Sequence, residues 1–186
     1  MGELTFNAET HEYRLDGKKV PSVTQVLAEM GFIDNRWFTE ESRERGTLVH
    51  KLCELNDLGV LDEESVDPRL AGYLAAWKTF VDKTGFVWTS VEKPLGHPLF
   101  RYAGTPDRIG ISGKGIKTLI DIKSGPPSLW HCFQIGGYLA MDQCEDALTV
   151  HLSSDGSFGV EQYEIEENIF DWKAIYRTYQ LKGLKR

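Results

Sequence analysis

The stretch GTPDRIGISGKGIKTLIDIK, residues 104–123, holds two β-rich runs on either side of the turn signal Gly113, Lys114, Gly115. A hairpin centred on Lys114 sets Asp107 opposite Asp121, with both side chains on one face and their Cβ atoms roughly 5 Å apart. Two like charges that close destabilise a sheet unless a cation lies between them, so this register points to a metal site. Lys123 lies two residues beyond Asp121, and strand alternation turns its ammonium to the face that carries both carboxylates. The competing reading is an exposed hairpin whose Asp and Lys are merely solvated, and a one-residue bulge would break the register.

Outward from this hairpin the pattern is α/β, with a central mixed β-sheet flanked by α-helices. Residues 4–20 read as short extended pieces around the turn Asp16, Gly17, and the cap at Pro21, Ser22 predicts a helix over 23–30. Leu48, Leu52 and Leu55 recur at helical spacing, which predicts a helix over 39–58 ending at Gly59. Asp67 and Pro68 resemble a cap and a first-turn proline, with an apolar stripe of Leu70, Leu74, Trp77 and Val81 running to Gly85. Strands are expected over 86–91, 99–103, 107–112 and 116–123 as an antiparallel meander. A helix over 128–141, strands over 147–152 and 160–165, and a last helix over 167–181 complete the chain.

At 186 residues and 41% hydrophobic content, without a Pro/Ser-rich linker or repeat, the expectation is one domain. Within 1–186, residues 1–38 form an N-terminal hairpin and helix, 39–141 a motif-bearing core, and 142–186 the C-terminal strands and helix. Nothing approaches the roughly 20 apolar residues of a membrane helix, so a soluble, cytoplasmic protein is expected. Cys53, Cys132 and Cys144 match no zinc or iron–sulfur spacing and read as buried thiols. A net charge of -7 argues against bulk attraction to nucleic acid, so any DNA contact must be local. A carboxylate-lined site that takes up divalent cations before it meets phosphate remains compatible with that charge.

The trio of Asp107, Asp121 and Lys123 suits phosphodiester hydrolysis, which needs a cation on the phosphate, an activated water and positive charge near the reacting centre. Hard oxygen ligands favour Mg²⁺ or Mn²⁺, and Lys123 would orient the attacking water or stabilise charge.

The motifs also occur in a familiar order. GTPD ending at Asp107, LIDIK over 119–123 and Gln134 with Tyr138 on a helix resemble the PD-(D/E)xK nuclease superfamily, and RGTLVHKLCE over 45–54 resembles its RecB-like and phage exonuclease branch. That branch includes the mitochondrial genome-maintenance exonuclease. The N-terminal YRLDG over 13–17 and VPSVTQV over 20–26 are similar to the start of phage members. The resemblance implies a restriction-endonuclease-like core, metal ligands at His50, Asp107, Asp121 and the Ile122 backbone carbonyl, and a catalytic lysine at Lys123. It also implies that Gln134 touches Lys123 or substrate and that Tyr138 touches phosphate. Iron–sulfur members carry four flanking cysteines; three in other places imply no cluster here.

Around this centre several residues keep more than one reading. His50 and Glu54 share a helical face, and Glu54 binds metal through water, orients His50 or faces solvent. An imidazole ligand tilts preference towards Mn²⁺, and Gly46 one turn earlier points to close backbone approach. Tyr138 is either a site residue or core, and Ser124 either donates to a phosphate or closes the turn into Pro126. Arg36, Arg43, Arg45 and Lys51, with Trp37 and Phe38, form a DNA-binding face or a solvated mixed-charge helix. The expected activity is a metal-dependent DNA exonuclease acting on free, single-stranded or processed ends in recombination, repair or phage replication, together with proteins of those processes, in a bacterial or phage-infected cell. The alternatives are a structure-specific endonuclease and a catalytically idle nucleic-acid-binding module.

Overall fold

The computed structural model describes residues 2–34 and 39–184. At the N-terminus Leu4–Asn7 (β1), Glu12–Leu15 (β2) and Lys18–Val20 (β3) make a small antiparallel sheet, turned at Asp16 and Gly17, both with positive φ. Ser22 then starts Val23–Glu29 (α1) through a capping box, its hydroxyl accepting from the Gln25 N–H while the Gln25 side chain accepts from the Ser22 N–H. Thr39 caps Glu40–Asp57 (α2) more simply, its hydroxyl accepting from the Ser42 N–H. The next helix, Ala71–Thr84 (α3), begins later than Pro68 because Asp67 closes a separate turn, accepting from the Arg69 and Leu70 N–H groups. Gly85 ends it in the left-handed conformation, φ 65°.

The strands that follow are Val87–Val91 (β4), Leu95–His97 (β5), Tyr102–Gly104 (β6), Arg108–Ile111 (β7) and Lys117–Lys123 (β8). Trp130–Leu139 (α4), Asp146–Leu152 (β9), Phe158–Gln162 (β10) and Ile165–Gly183 (α5) complete the order. The main sheet runs β10-β9-β8-β7-β4, with β8 and β9 parallel and the other neighbours antiparallel. The mixed sheet flanked by helices is therefore as the sequence predicts, but the simple meander is not. β4 pairs with β7, while β5 and β6 leave the sheet as a separate hairpin. That hairpin is drawn away because Ala103 joins Tyr13, Leu15 and Val20 in a small core and its N–H donates to the Pro21 carbonyl. The last strand also differs: the turn at 153–157 sets Phe158 opposite Leu152, so pairing ends at Gln162 and Ile165 already belongs to α5.

Two apolar cores flank the sheet, and alternation along β8 sorts its residues between them. Leu119 packs with Ile109 against α1, α4 and α5, whereas Ile120 and Ile122 pack with Val49, Cys53, Trp77 and Phe80 of α2 and α3. Asp121 and Lys123 thus fall on the α4 side. Helix α4 lies close because it carries Gly136 and Gly137: an added Cβ would meet the Asn168 carbonyl oxygen at 2.0 Å and a Val23 methyl at 2.8 Å. Cys53 and Cys144 are buried thiols, but Cys132 is only half-buried, its Sγ donating to the Leu129 carbonyl. Among the described residues no helix is long and apolar enough to cross a membrane.

Candidate active site

The register read from the sequence is the register found: Arg108 pairs with Ile120 and Ile111 with Lys117, which carries Asp107 to the position opposite Asp121. Asp107 stands just before β7, and its Oδ2 accepts the Ile122 N–H at 2.6 Å. Its Oδ1 lies 3.3 Å from His50 Nδ1, which α2 brings round the end of the sheet. Burial raises the Asp107 pKa, but His50, Lys123 and the Ile122 N–H more than offset it and leave it lowered. Asp121 is the contrary case: burial, with Asp107 close by, outweighs Lys123 and raises it. Lys123 Nζ lies 2.6 Å from Asp121 Oδ2, so the buried Asp121 carboxylate is paired with this ammonium. Two buried carboxylates set side by side, with His50 at their edge, are the environment a divalent cation would complete.

Lys123 is held from two other sides. Its ammonium donates to Gln134 Oε1 at 2.9 Å and sits 4.9 Å from the centre of the Trp130 ring. The Gln134 amide in turn donates to the Tyr138 hydroxyl at 3.0 Å. Tyr138 is both things that the sequence left open: its ring belongs to the core around α1 and α5, while its hydroxyl ends a chain leading to Lys123. This explains Gly104, where a Cβ would lie 2.6 Å from the Tyr138 ring.

Glu92 was not foreseen. It follows β4, and its N–H donates to the Asp107 carbonyl at 3.0 Å, so it ends at the same edge of the sheet. His50, Glu92 and Asp107 offer ligand atoms within 4.8 Å of one another. Glu92 has φ 46°, an uncommon conformation for a non-glycine residue, and burial next to Asp107 pushes its carboxyl up to about 8. Arg108 anchors it. Fully buried, Arg108 donates to Asp57 Oδ2 at 2.6 Å, to the Asp107 carbonyl at 2.6 Å and to Glu92 Oε1 at 3.1 Å. Asp57 also accepts from the Trp77 indole N–H. The signal for Glu92 was its place at the end of a β-rich run, but it becomes informative only once that run is known to pair with β7.

Other expected residues are placed as follows. The Glu54 carboxylate pairs with Lys51 at 2.7 Å, one turn of α2 away, and is not among the group made by His50, Glu92 and Asp107. The Ile122 side chain lies in the core under α2 and α3, while its amide serves Asp107. Arg43 is exposed near the start of α2, and Arg45 is half-buried with an Nε that lacks a hydrogen-bond partner. Ser124 lines a cleft beyond the end of β8 and faces Gly46, but a Cβ at Gly46 would stand 3.8 Å from its hydroxyl, an ordinary contact that does not require glycine. Arg36, Trp37 and Phe38 lie outside the described residues.

No family model matches the sequence, and no curated protein matches it either. Solved structures do match. The crystal structure of LHK-Exo in complex with dAMP aligns with a TM-score of 0.51 at 14% sequence identity, over 88% of this chain and 87% of that one. The chain has the fold of that exonuclease. A second structure of LHK-Exo, an alkaline exonuclease from Laribacter hongkongensis, aligns with a TM-score of 0.48 at 17% identity, over 86% and 74% of the two chains. The resemblance read from the motifs thus holds at the level of the fold, in which α4 connects the two parallel strands and the candidate site lies at the carboxyl end of the first. Ligand sites of α/β sheets commonly occupy that edge.

Proposed function

We propose that this chain is a divalent-metal-dependent deoxyribonuclease that works as an exonuclease on DNA ends. The observation that carries the reading is the convergence of Asp107, Asp121, His50, Glu92 and Lys123 at one end of β8. Asp107, Asp121, His50 and Glu92 would hold Mg²⁺ or Mn²⁺, with the Ile122 carbonyl as a further donor. When bound, the cation polarises the phosphate and lowers the pKa of water. Lys123 places positive charge beside Asp121, where it orients the attacking water and opposes charge that develops on phosphate. Gln134 accepts one Lys123 proton and so fixes the direction of the ammonium; the Tyr138 hydroxyl fixes Gln134. Arg43, Arg45 and Ser124 are assigned to the DNA backbone. Fold likeness to LHK-Exo, crystallised with the DNA nucleotide dAMP, supports DNA as substrate and a free end as its point of attack.

The test is digestion of end-labelled linear single-stranded DNA, linear duplex and closed single-stranded circles with Mg²⁺ or Mn²⁺. Loss of linear forms alone, abolished by a chelator and by Asp121→Ala, is the expected result. Cutting of circles would replace the exonuclease with an endonuclease. Binding of DNA without cleavage of any form would leave a nucleic-acid-binding module.

A further inference from the structure

A second group of metal-ligating side chains lies one strand across from Lys123. His151 of β9 is the parallel-pair partner of Lys123, Glu161 stands on β10, and His131 lies in the first turn of α4. Their ligand atoms lie within 4.8 Å of one another, and both imidazoles are buried. None of the three takes part in the chemistry proposed above. We propose that His131, His151 and Glu161 form a zinc-binding site.

The case begins with an unfavourable contact. His151 Nδ1 is 2.9 Å from the Gly125 carbonyl, which only accepts, so Nδ1 carries the proton and Nε2 of the neutral ring is a lone pair. That lone pair faces Glu161 Oε2 at 3.1 Å, another acceptor. Two acceptors at that distance require a proton or a cation between them. A four-coordinate zinc with bonds of about 2.0 to 2.1 Å spaces its ligand atoms about 3.3 Å apart, close to the separation present before any ion enters. His131 supplies the third ligand. Its ring is buried and lies 5.6 Å from that of His151. The Ser128 N–H approaches His131 Nδ1 at 3.3 Å, weaker than an ordinary hydrogen bond, so turning the ring towards the other two groups sacrifices little.

The surroundings are those of a metal centre. The Gly125 carbonyl fixes the His151 tautomer and ring direction, and the Tyr163 hydroxyl donates to Glu161 Oε2 at 3.0 Å. Partners of this kind orient ligands and raise their basicity. His151 and Glu161 also line a cleft of about 650 Å³ bounded by Ser124, Ser153 and Phe158. The cleft gives an ion an entry path and leaves a fourth position open to water. Two imidazoles with one carboxylate suit Zn²⁺ over the hard cations Mg²⁺ and Ca²⁺.

The experiment is titration of the full chain with Zn²⁺, by calorimetry and chelator competition, in four forms: unaltered, His50→Asn, His151→Asn and Glu161→Gln. His50→Asn isolates this site from the carboxylates around Asp107, and Asn at 151 keeps a donor for the Gly125 carbonyl. Expected are a zinc site that persists in His50→Asn, weakened at least 100-fold in His151→Asn and at least 10-fold in Glu161→Gln, and visible bands of four-coordinate Co²⁺ that disappear with it. Should His151→Asn fail to fold by circular dichroism, Glu161→Gln decides alone, since Glu161 is partly exposed on an edge strand. Zinc stoichiometry and affinity unchanged in the folded variants, or lost only with His50, would overturn the proposal and leave a protonated His151 paired with Glu161. DNA cleavage enters none of these readouts, so the outcome is independent of the nuclease assignment.

Discussion

Arg108→Met tests whether the candidate site rests on a buried charge network. The Arg108 side chain has 0% exposure and that of Asp57 has 2%, with 2.6 Å between Nε and Oδ2. Methionine fills much of the same space against Trp77 but leaves the Asp57 carboxylate buried without its cation, accepting only neutral hydrogen bonds from the Trp77 N–H and the Asn56 amide. Breaking such a pair from one side costs about 3 to 5 kcal/mol, because the remaining charge is desolvated and uncompensated. Against a typical total of about 5 to 15 kcal/mol, that is a severe loss. Removing both charges behaves differently: in Asp57→Leu with Arg108→Met the orphaned Trp77 N–H costs about 1 to 3 kcal/mol, and the Asn56 amide and Glu92 each lose a partner, but no unpaired charge is left at position 57. The double variant is therefore expected to be more stable than Arg108→Met alone. Guanidinium chloride unfolding of the two single variants and the double variant, with a chelator present, measures this directly. Additive losses, or a loss below about 1 kcal/mol for Arg108→Met, would refute the reasoning. Folded Arg108→Met should also bind Mn²⁺ more weakly, because Glu92 loses the guanidinium that holds it.

The other predictions follow from the same geometry. Asp121→Asn should abolish cleavage while leaving the metal-free protein at least as stable at neutral pH. Its raised pKa means that the native carboxyl contributes stability below the ordinary carboxylate range and loses it as pH rises, so the advantage of Asn should vanish in acid; urea melts at two pH values check this. Glu92, raised to about 8, must release its proton to bind a cation, so Mn²⁺ affinity should climb with pH up to about 8 and then level off, and calorimetry on Glu92→Gln should show a flatter profile. Gln134→Ala should lower kcat about 10- to 100-fold with Mn²⁺ affinity unchanged, because Lys123 loses a partner that directs it while the carboxylates keep theirs. A kcat equal to that of the unaltered protein would remove Gln134 from the site. Gly136→Ala drives a Cβ to 2.0 Å from the Asn168 carbonyl oxygen, and thermal unfolding should register a loss of about 1 to 3 kcal/mol or more as α4 is pushed off α5.

The sequence by itself determined what depends on neighbours along the chain. The turn at Lys114 sets the β7–β8 register, and a side-chain period of two then brings Asp107, Asp121 and Lys123 to one face without reference to the rest of the molecule. The spacing of Gln134 and Tyr138 on α4 was legible for the same reason, being one turn of a helix. Tertiary structure decided everything that joins distant segments. The β5–β6 hairpin leaves the sheet because Ala103 finds a core among β2 and β3, and only that departure lets β4 reach β7 and deliver Glu92. Arg108 looked like the residue after a motif aspartate, yet it joins Asp57 across 51 residues, and His131, His151 and Glu161 meet from a helix and two strands. Such pairings are set by which apolar faces can be buried together and which buried charges can be matched, and local spacing carries no record of either.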